Sequence, residues 1–336
     1  MQSQSLIRAV VDAAALRHNL HQVRRTAPDS RVMAVIKANA YGHGLVPAAK
    51  ALADADGFAV ARLGEGLALR AAGLTNRILL LEGVFSADQL AAAAQARFEL
   101  MVHSVEQLEL LDALTGDARV TAWIKVDSGM NRLGFRLDDF SAAYERLRRN
   151  VHVHADPTLV THLASADDRR DPKTRQQLDA FAAATAGLAG ARSIANSAGV
   201  LAWPTARADW VRPGLMLYGV SPFPSGTGAE IGLRPAMTLR TEVIAVKDVK
   251  AGETVGYGGS WTATRDTRMA VVAAGYGDGY PRGSSSGTPV LIGGRRAPIV
   301  GRVSMDMITV DVTDLPVVAV GEPVVLWGSE IPVEEV

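Results

Sequence analysis

Along the first two thirds of the chain, short apolar runs alternate with segments whose apolar positions recur every three or four residues. Val32–Ile36 is an uninterrupted apolar run without helical spacing, the pattern of a strand buried on both faces. Ahead of it, Leu16, Leu20 and Val23 mark one side of a helix for which Asp12 is a suitable N-cap. The alternation then continues through helix Leu45–Ala53, strand Gly57–Ala61, helix Gly64–Ala72, strand Ile78–Leu81, helix Ala87–Ala96, strand Phe98–Val102 and helix Val105–Leu114. Strand Val120–Val126, helix Asp138–Arg149, strand Thr158–His162 and helix Pro172–Leu188, capped by Asp171, come next. Strand Arg192–Ala195, a short helix Ala198–Trp203 and a last strand over Leu215–Tyr218 complete the series. Eight strands interleaved with helices predict an α/β fold, a closed parallel (β/α)8 TIM-type barrel. An open doubly wound sheet is the alternative, but the G-x-G-x-x-G phosphate turn it needs after the first strand is absent.

Helical periodicity ends near Ser221–Pro235, where proline, serine and glycine accumulate. Beyond this stretch Thr241–Val246, Ala270–Ala274, Pro289–Ile292, Pro298–Val303, Ile308–Val312 and Pro323–Trp327 read as strands between glycine turns. The expected organisation is therefore a barrel over residues 1–230 followed by a C-terminal all-β domain over 231–336.

Composition narrows the class. Basic and acidic residues number 35 each, so no charge excess points to nucleic acid or a membrane surface. The absence of cysteine excludes a disulfide framework and a thiolate metal site, and fits a cytoplasmic protein. No signal peptide is recognisable at the N-terminus, and no apolar run approaches membrane-spanning length. No metal site is expected. Six of the 35 basic residues are lysines, so a lysine at the end of a buried strand draws notice.

Barrels of this type carry reactive groups at the C-terminal ends of their strands. Lys37 ends the first one, and an amine there can condense with a carbonyl. Tyr41 follows within reach of the same cavity, and Gly42 and Gly44 permit close backbone approach. Lys125 runs into DSGMNRLG, where Arg132 suits either a surface ion pair or the bidentate recognition of a carboxylate. His162 ends a strand in LVTHLASAD and is either a hydrogen-bonded structural residue or a functional one. Asn196 and Ser197, in IANSAG, suit a helix cap and equally a phosphate cradle. Arg212, Gly214 and Leu215 lie in WVRPGLMLYG. These positions share one face only if the barrel is right.

The stretch AVIKANAYGHG resembles the pyridoxal 5'-phosphate signature of bacterial alanine racemases of fold type III, and the other motifs match that family in order and spacing. The resemblance implies an isomerase that interconverts L-alanine and D-alanine, supplying D-alanine for peptidoglycan or serving alanine catabolism. It implies that Lys37 and Asn196 bind the cofactor, that Tyr41, Ser197, Gly214 and Leu215 hold its phosphate, that His162 lies beside its ring, and that Arg212 meets the pyridine nitrogen. Arg132 would place the substrate carboxylate, and Lys125 matches a lysine that some members carry as a carbamate. In the β domain, Tyr257 of VGYGGSW matches the second catalytic base, which reaches across a homodimer into the partner's barrel. Met305 of GRVSMDM matches a substrate contact. Tyr276, Arg282, Arg302 and Asp167 match residues of the entry corridor, and Asp306 adjoins them in sequence motif. Family members continue into a terminal segment carrying a further tyrosine, and this sequence stops at Val336 before it. A broad-specificity amino acid racemase and a non-catalytic carrier of the cofactor are the alternatives.

Overall fold

The computed structural model describes residues 5–336 and divides into two compact units. One is Ala13–Arg234, and the other joins the described residues through Asp12 to Pro235–Val336.

In the first unit, eight parallel strands close into a barrel. They are Arg31–Val35, Gly57–Val60, Ile78–Leu80, Glu99–Val102, Thr121–Lys125, Thr158–Val160, Arg192–Ser193 and Trp210–Val211. Closure is made by the first and last strands, with Arg31 opposite Trp210 and Val32 opposite Val211. The helix Ala13–Thr26 buries Leu16, Leu20 and Val23, as their spacing predicts. Asp171 accepts the N–H of Lys173 at the start of helix Lys173–Ala184. The last barrel strand differs from the sequence expectation: Leu215–Tyr218 is a 3-10 helix, and the strand is the dipeptide Trp210–Val211. An apolar run of four residues is equally compatible with a buried helical turn.

Met33, Val35, Ala59, Leu79, Met101, Trp123, Val160 and Trp210 form the barrel interior, with the Trp123 and Trp210 rings 5.6 Å apart. The N-terminal end is closed by charge and aromatic surface. The Arg31 and Arg77 guanidinium groups lie 4.4 and 4.8 Å from the Trp210 ring centre, and Glu99 accepts from Arg77 and from the Trp123 indole. A filled floor leaves the C-terminal end as the place for a cavity.

The second unit is antiparallel. Its sheet runs Arg295–Pro298, Pro289–Ile292, Pro323–Trp327, Met237–Val249, Thr267–Val272 and Ile308–Asp311. A bulge between Val243 and Ala245 marks where the long strand shifts register against its neighbour. Arg8–Val11 pairs with that strand and so belongs to this unit. Its residues are mostly exposed, so no buried alternation betrays it in the sequence. Pro298–Val303, expected as a strand, contributes Pro298 to a strand that starts at Arg295 and Ile299 to an isolated bridge with Val310, before Gly301 turns the chain at φ +75°.

Candidate active site

The five strand-end motifs of the barrel meet around one cavity of about 540 Å³. Lys37, Tyr41, Lys125, Arg132, His162, Asp167, Asn196, Ser197, Arg212, Gly214 and Leu215 all line it, with Val35, Met101 and Val160 of the barrel core beneath.

The Lys37 segment is the most unusual backbone of the chain. Ala38, Asn39, Ala40 and Tyr41 have φ between +53° and +55°, a left-handed turn made without glycine. Each such residue costs on the order of 1–2 kcal/mol. Side chains hold the turn: Glu65 accepts the Ala38 N–H at 2.6 Å, and Asn39 accepts the Leu45 N–H at 2.8 Å. His43 Nδ1 faces the carbonyls of Ala40 and Tyr41 at 3.1 and 3.0 Å, so that nitrogen carries the proton. The Tyr218 ring packs against Tyr41 at 4.7 Å and against His43 at 4.6 Å, and its hydroxyl donates to the Val35 carbonyl.

Opposite this turn, the Ser197 hydroxyl oxygen accepts the N–H groups of Gly214 and Met216 at 2.9 and 3.3 Å. With both acceptor positions used, its own proton is free to donate to an anion. Asn196 caps the helix Ser197–Ala202 through the Gly199 N–H and donates to Leu163, so its side chain is committed to structure. A Cβ at Gly214 would stand 2.5 Å from the Tyr41 hydroxyl, so only glycine lets the tyrosine come this close to the backbone.

Arg212 is 4% exposed and donates to Ser193 Oγ and to the carbonyls of Thr161 and Ile194. Burial lowers its pKa to about 10, which still leaves it a cation at neutral pH. His162 faces it, Nδ1 to Nη2, at 3.4 Å. Burial, then the charges of Arg212 and Lys125, holds the His162 pKa well below its ordinary value and keeps the ring neutral. Lys125 is 8% exposed, and its ammonium makes no hydrogen bond or ion pair among the described residues. Burial and then the neighbouring Arg212 and Arg132 lower its pKa to about 8. Arg132 is exposed at the rim without an ion pair among the described residues. Its loop is fixed by Asp127, whose carboxylate accepts the N–H groups of Gly129 and Asn131.

The second unit gathers the remaining sequence candidates into one loop cluster of its own. Tyr257 is 73% exposed and Met305 54%. A Cβ on Gly258 would lie 3.8 Å from Arg302, and one on Gly277 would lie 3.0 Å from the Met305 carbonyl oxygen and 3.7 Å from Asp306. The Gly277 N–H donates to the Met305 carbonyl, and Arg282 sits 5.6 Å from the Tyr276 ring centre.

Two family models match the chain, the alanine racemase N-terminal domain over residues 11–222 and the C-terminal domain over 236–336. The chain belongs to the alanine racemase family. It is 52% identical to an alanine racemase of Aeromonas hydrophila subsp. hydrophila over 98% of this chain and 92% of that one. An alanine racemase of Yersinia pestis is 53% identical, with coverage of 98% and 91%. The biosynthetic alanine racemase of Pseudomonas aeruginosa superposes with a TM-score of 0.95 at 48% identity, covering 99% of this chain and 93% of that one. The alanine racemase of Acinetobacter baumannii gives 0.89 at 37%, covering 98% and 92%. Within this alanine racemase fold, sequence motifs alone left out Glu65, Tyr218 and Ser193. Tyr218 sits inside the quoted WVRPGLMLYG stretch, and the other two had no local signal.

Proposed function

We propose that the cavity interconverts L- and D-alanine with pyridoxal 5'-phosphate as cofactor, in a cytoplasmic homodimer. The observation that carries this reading is the convergence of Lys37, a donor-lined cradle and a buried guanidinium on one cavity. The residues present fit the cofactor. The free Ser197 proton, the Tyr41 hydroxyl and the first N–H groups at Ala198 and Leu215, which have no intrahelical acceptor, suit its phosphate. The Arg212 Nε remains to meet the pyridine nitrogen, and a neutral His162 adds no competing charge beside the ring. Lys37, Lys125, Arg132 and Arg212 outweigh Glu82 and Asp167 in the lining, which favours an anionic cofactor and a carboxylate substrate.

When bound, the cofactor supplies a sink for the electron pair left on the substrate Cα. Arg212 would limit that sink, because a guanidinium that keeps its own proton would leave the pyridine nitrogen unprotonated. The restricted sink favours return of the proton at Cα, hence racemisation over transamination. Arg132 holds the alanine carboxylate. Lys37 Nζ takes or returns the α-proton of D-alanine on one face, and Tyr257 Oη that of L-alanine on the other. One base on one face would mostly return the proton to where it came from. Tyr257 comes from a second copy of the chain, consistent with its exposure on its own unit. Met305 adjoins the substrate, and Tyr276, Arg282, Arg302 and Asp167 line the approach. A Lys125 pKa near 8 leaves roughly a tenth of this side chain as free amine at neutral pH, the form that adds carbon dioxide to give a carbamate beside Arg132.

Borohydride reduction of the holoenzyme followed by peptide mass mapping tests the central assignment. The pyridoxyl group is expected on Lys37, and a label on Lys125 would contradict it.

A further inference from the structure

The strand ends that carry Lys37 and Ala61 leave the sheet side by side. The last ladder bond between them runs from the Ile36 N–H to the Ala59 carbonyl at 2.9 Å. Beyond it the chain after Lys37 turns left-handed, and the N–H groups of Ala38 and Ala61 find no carbonyl acceptor among the described residues. One side chain takes both. Glu65 Oε1 accepts from Ala38 at 2.6 Å, and Oε2 accepts from Ala61 at 2.8 Å and from Arg62 at 3.2 Å. Two strand ends that the sheet no longer joins are joined by a carboxylate.

We infer that Glu65 is a positioning residue for Lys37: by fixing the Ala38 N–H it holds the left-handed turn and so the direction in which Lys37 enters the cavity. The inference rests on Lys37 being the cofactor-binding base. A plainer role exists, since Glu65 lies in the first turn of helix Leu63–Ala71 and its Oε2 caps that helix. The two oxygens separate the roles. Oε2 serves its own helix and the residue before it, whereas Oε1 reaches back 27 residues to the backbone next to Lys37.

Glu65→Asp keeps an acid in the helix's first turn but is one methylene short of spanning both strand ends. Glu65→Gln keeps the length with one acceptor oxygen in place of two. Ser86→Ala removes a side-chain cap from the helix Ala87–Gln95, away from the cavity, and controls for helix capping as such. Amide hydrogen exchange at Ala38 is measured in the full chain stripped of pyridoxal phosphate, and kcat and KM in the reconstituted enzyme. For Glu65→Asp we expect Ala38 exchange at least tenfold faster than wild type, kcat at least tenfold lower and KM for alanine within threefold. Glu65→Gln falls between, and Ser86→Ala leaves both quantities within twofold. If Glu65→Asp behaves as Ser86→Ala does, the carboxylate only caps its helix and the inference is wrong. Faster Ala38 exchange with unchanged kcat overturns it too, because the turn would then not orient Lys37. Should Glu65→Asp not fold, the same criteria apply to Glu65→Gln at threefold. Borohydride mapping of the wild type is run in parallel. A label absent from Lys37 rejects the cofactor reading, whereas a label on Lys37 with native exchange in the Glu65 variants rejects only the positioning role.

Discussion

Replacing Lys125 by methionine should make the cofactor-free protein more stable at neutral pH. The ammonium is buried, unpaired among the described residues and surrounded by Arg212, Arg132 and Lys37, with Asp127 the one opposing charge that offsets them. Its pKa falls from an ordinary 10.5 to about 8. At about 1.36 kcal/mol per pH unit, that gap is a cost on the order of 3 kcal/mol. The sign follows from proton binding. Below about pH 8 the folded and unfolded chains are both protonated and the full cost is present. Between about 8 and 10.5 the unfolded chain holds a proton the folded chain lacks, so stability rises with pH, and above that window the cost is gone. Methionine has a similar length and no charge, so Lys125→Met should gain about 2 kcal/mol at pH 7, less than the full figure because a wild-type site relaxes around its charge. The gain should shrink to about a quarter of its pH 7 value at pH 10 and vanish above about 10.5. Urea unfolding of both proteins at pH 7, 8, 9 and 10 in carbon dioxide-depleted buffer measures this through the midpoint. A variant no more stable at pH 7, or one whose advantage is the same at every pH, would refute the electrostatic reasoning and leave packing as the cause.

Gly214→Ala places a methyl group 2.5 Å from the Tyr41 hydroxyl, which must move by roughly 1 Å to restore van der Waals distance. Equilibrium titration should show pyridoxal phosphate affinity about tenfold weaker, equivalent to about 1.4 kcal/mol, and Tyr41→Phe in the same chain should add less than its separate effect. If Arg212 meets the pyridine nitrogen as proposed, Arg212→Glu would put a proton acceptor there, so racemisation should fall while pyruvate released by abortive transamination rises per turnover. Equal loss of both, with cofactor still bound, would count against the electronic role of Arg212.

The barrel was legible because its strands are buried on both faces and its helices are one-sided, so composition alternates with a clear rhythm. That Lys37 and Asn196 stand at strand ends was legible for the same reason, each being a polar residue that directly follows an apolar run. What escaped lacked a local signature. The strand Arg8–Val11 is mostly exposed, and Trp210–Val211 is too short to show a period. The left-handed turn over Ala38–Tyr41 contains no glycine to announce it, and the side chains of Glu65, Asn39 and His43 that hydrogen-bond around it carry no local signal of that. Glu65 reads as an ordinary acid in a helix's first turn, and its reach to Ala38 exists only once two strands lie side by side.

Subunit complementation tests most directly the claim that two bases from two copies of the chain act at one cavity. Lys37→Ala and Tyr257→Phe chains, each nearly inactive alone, are mixed in equal amounts and allowed to exchange, with formation of mixed dimers confirmed by mass spectrometry. Random exchange makes half the dimers mixed, and each mixed dimer has one site with both bases and one with neither, so about a quarter of wild-type sites should return. If both bases of a site came from the same chain, every site in the mixture would lack one of them, and confirmed mixed dimers without recovered alanine racemisation would contradict the account.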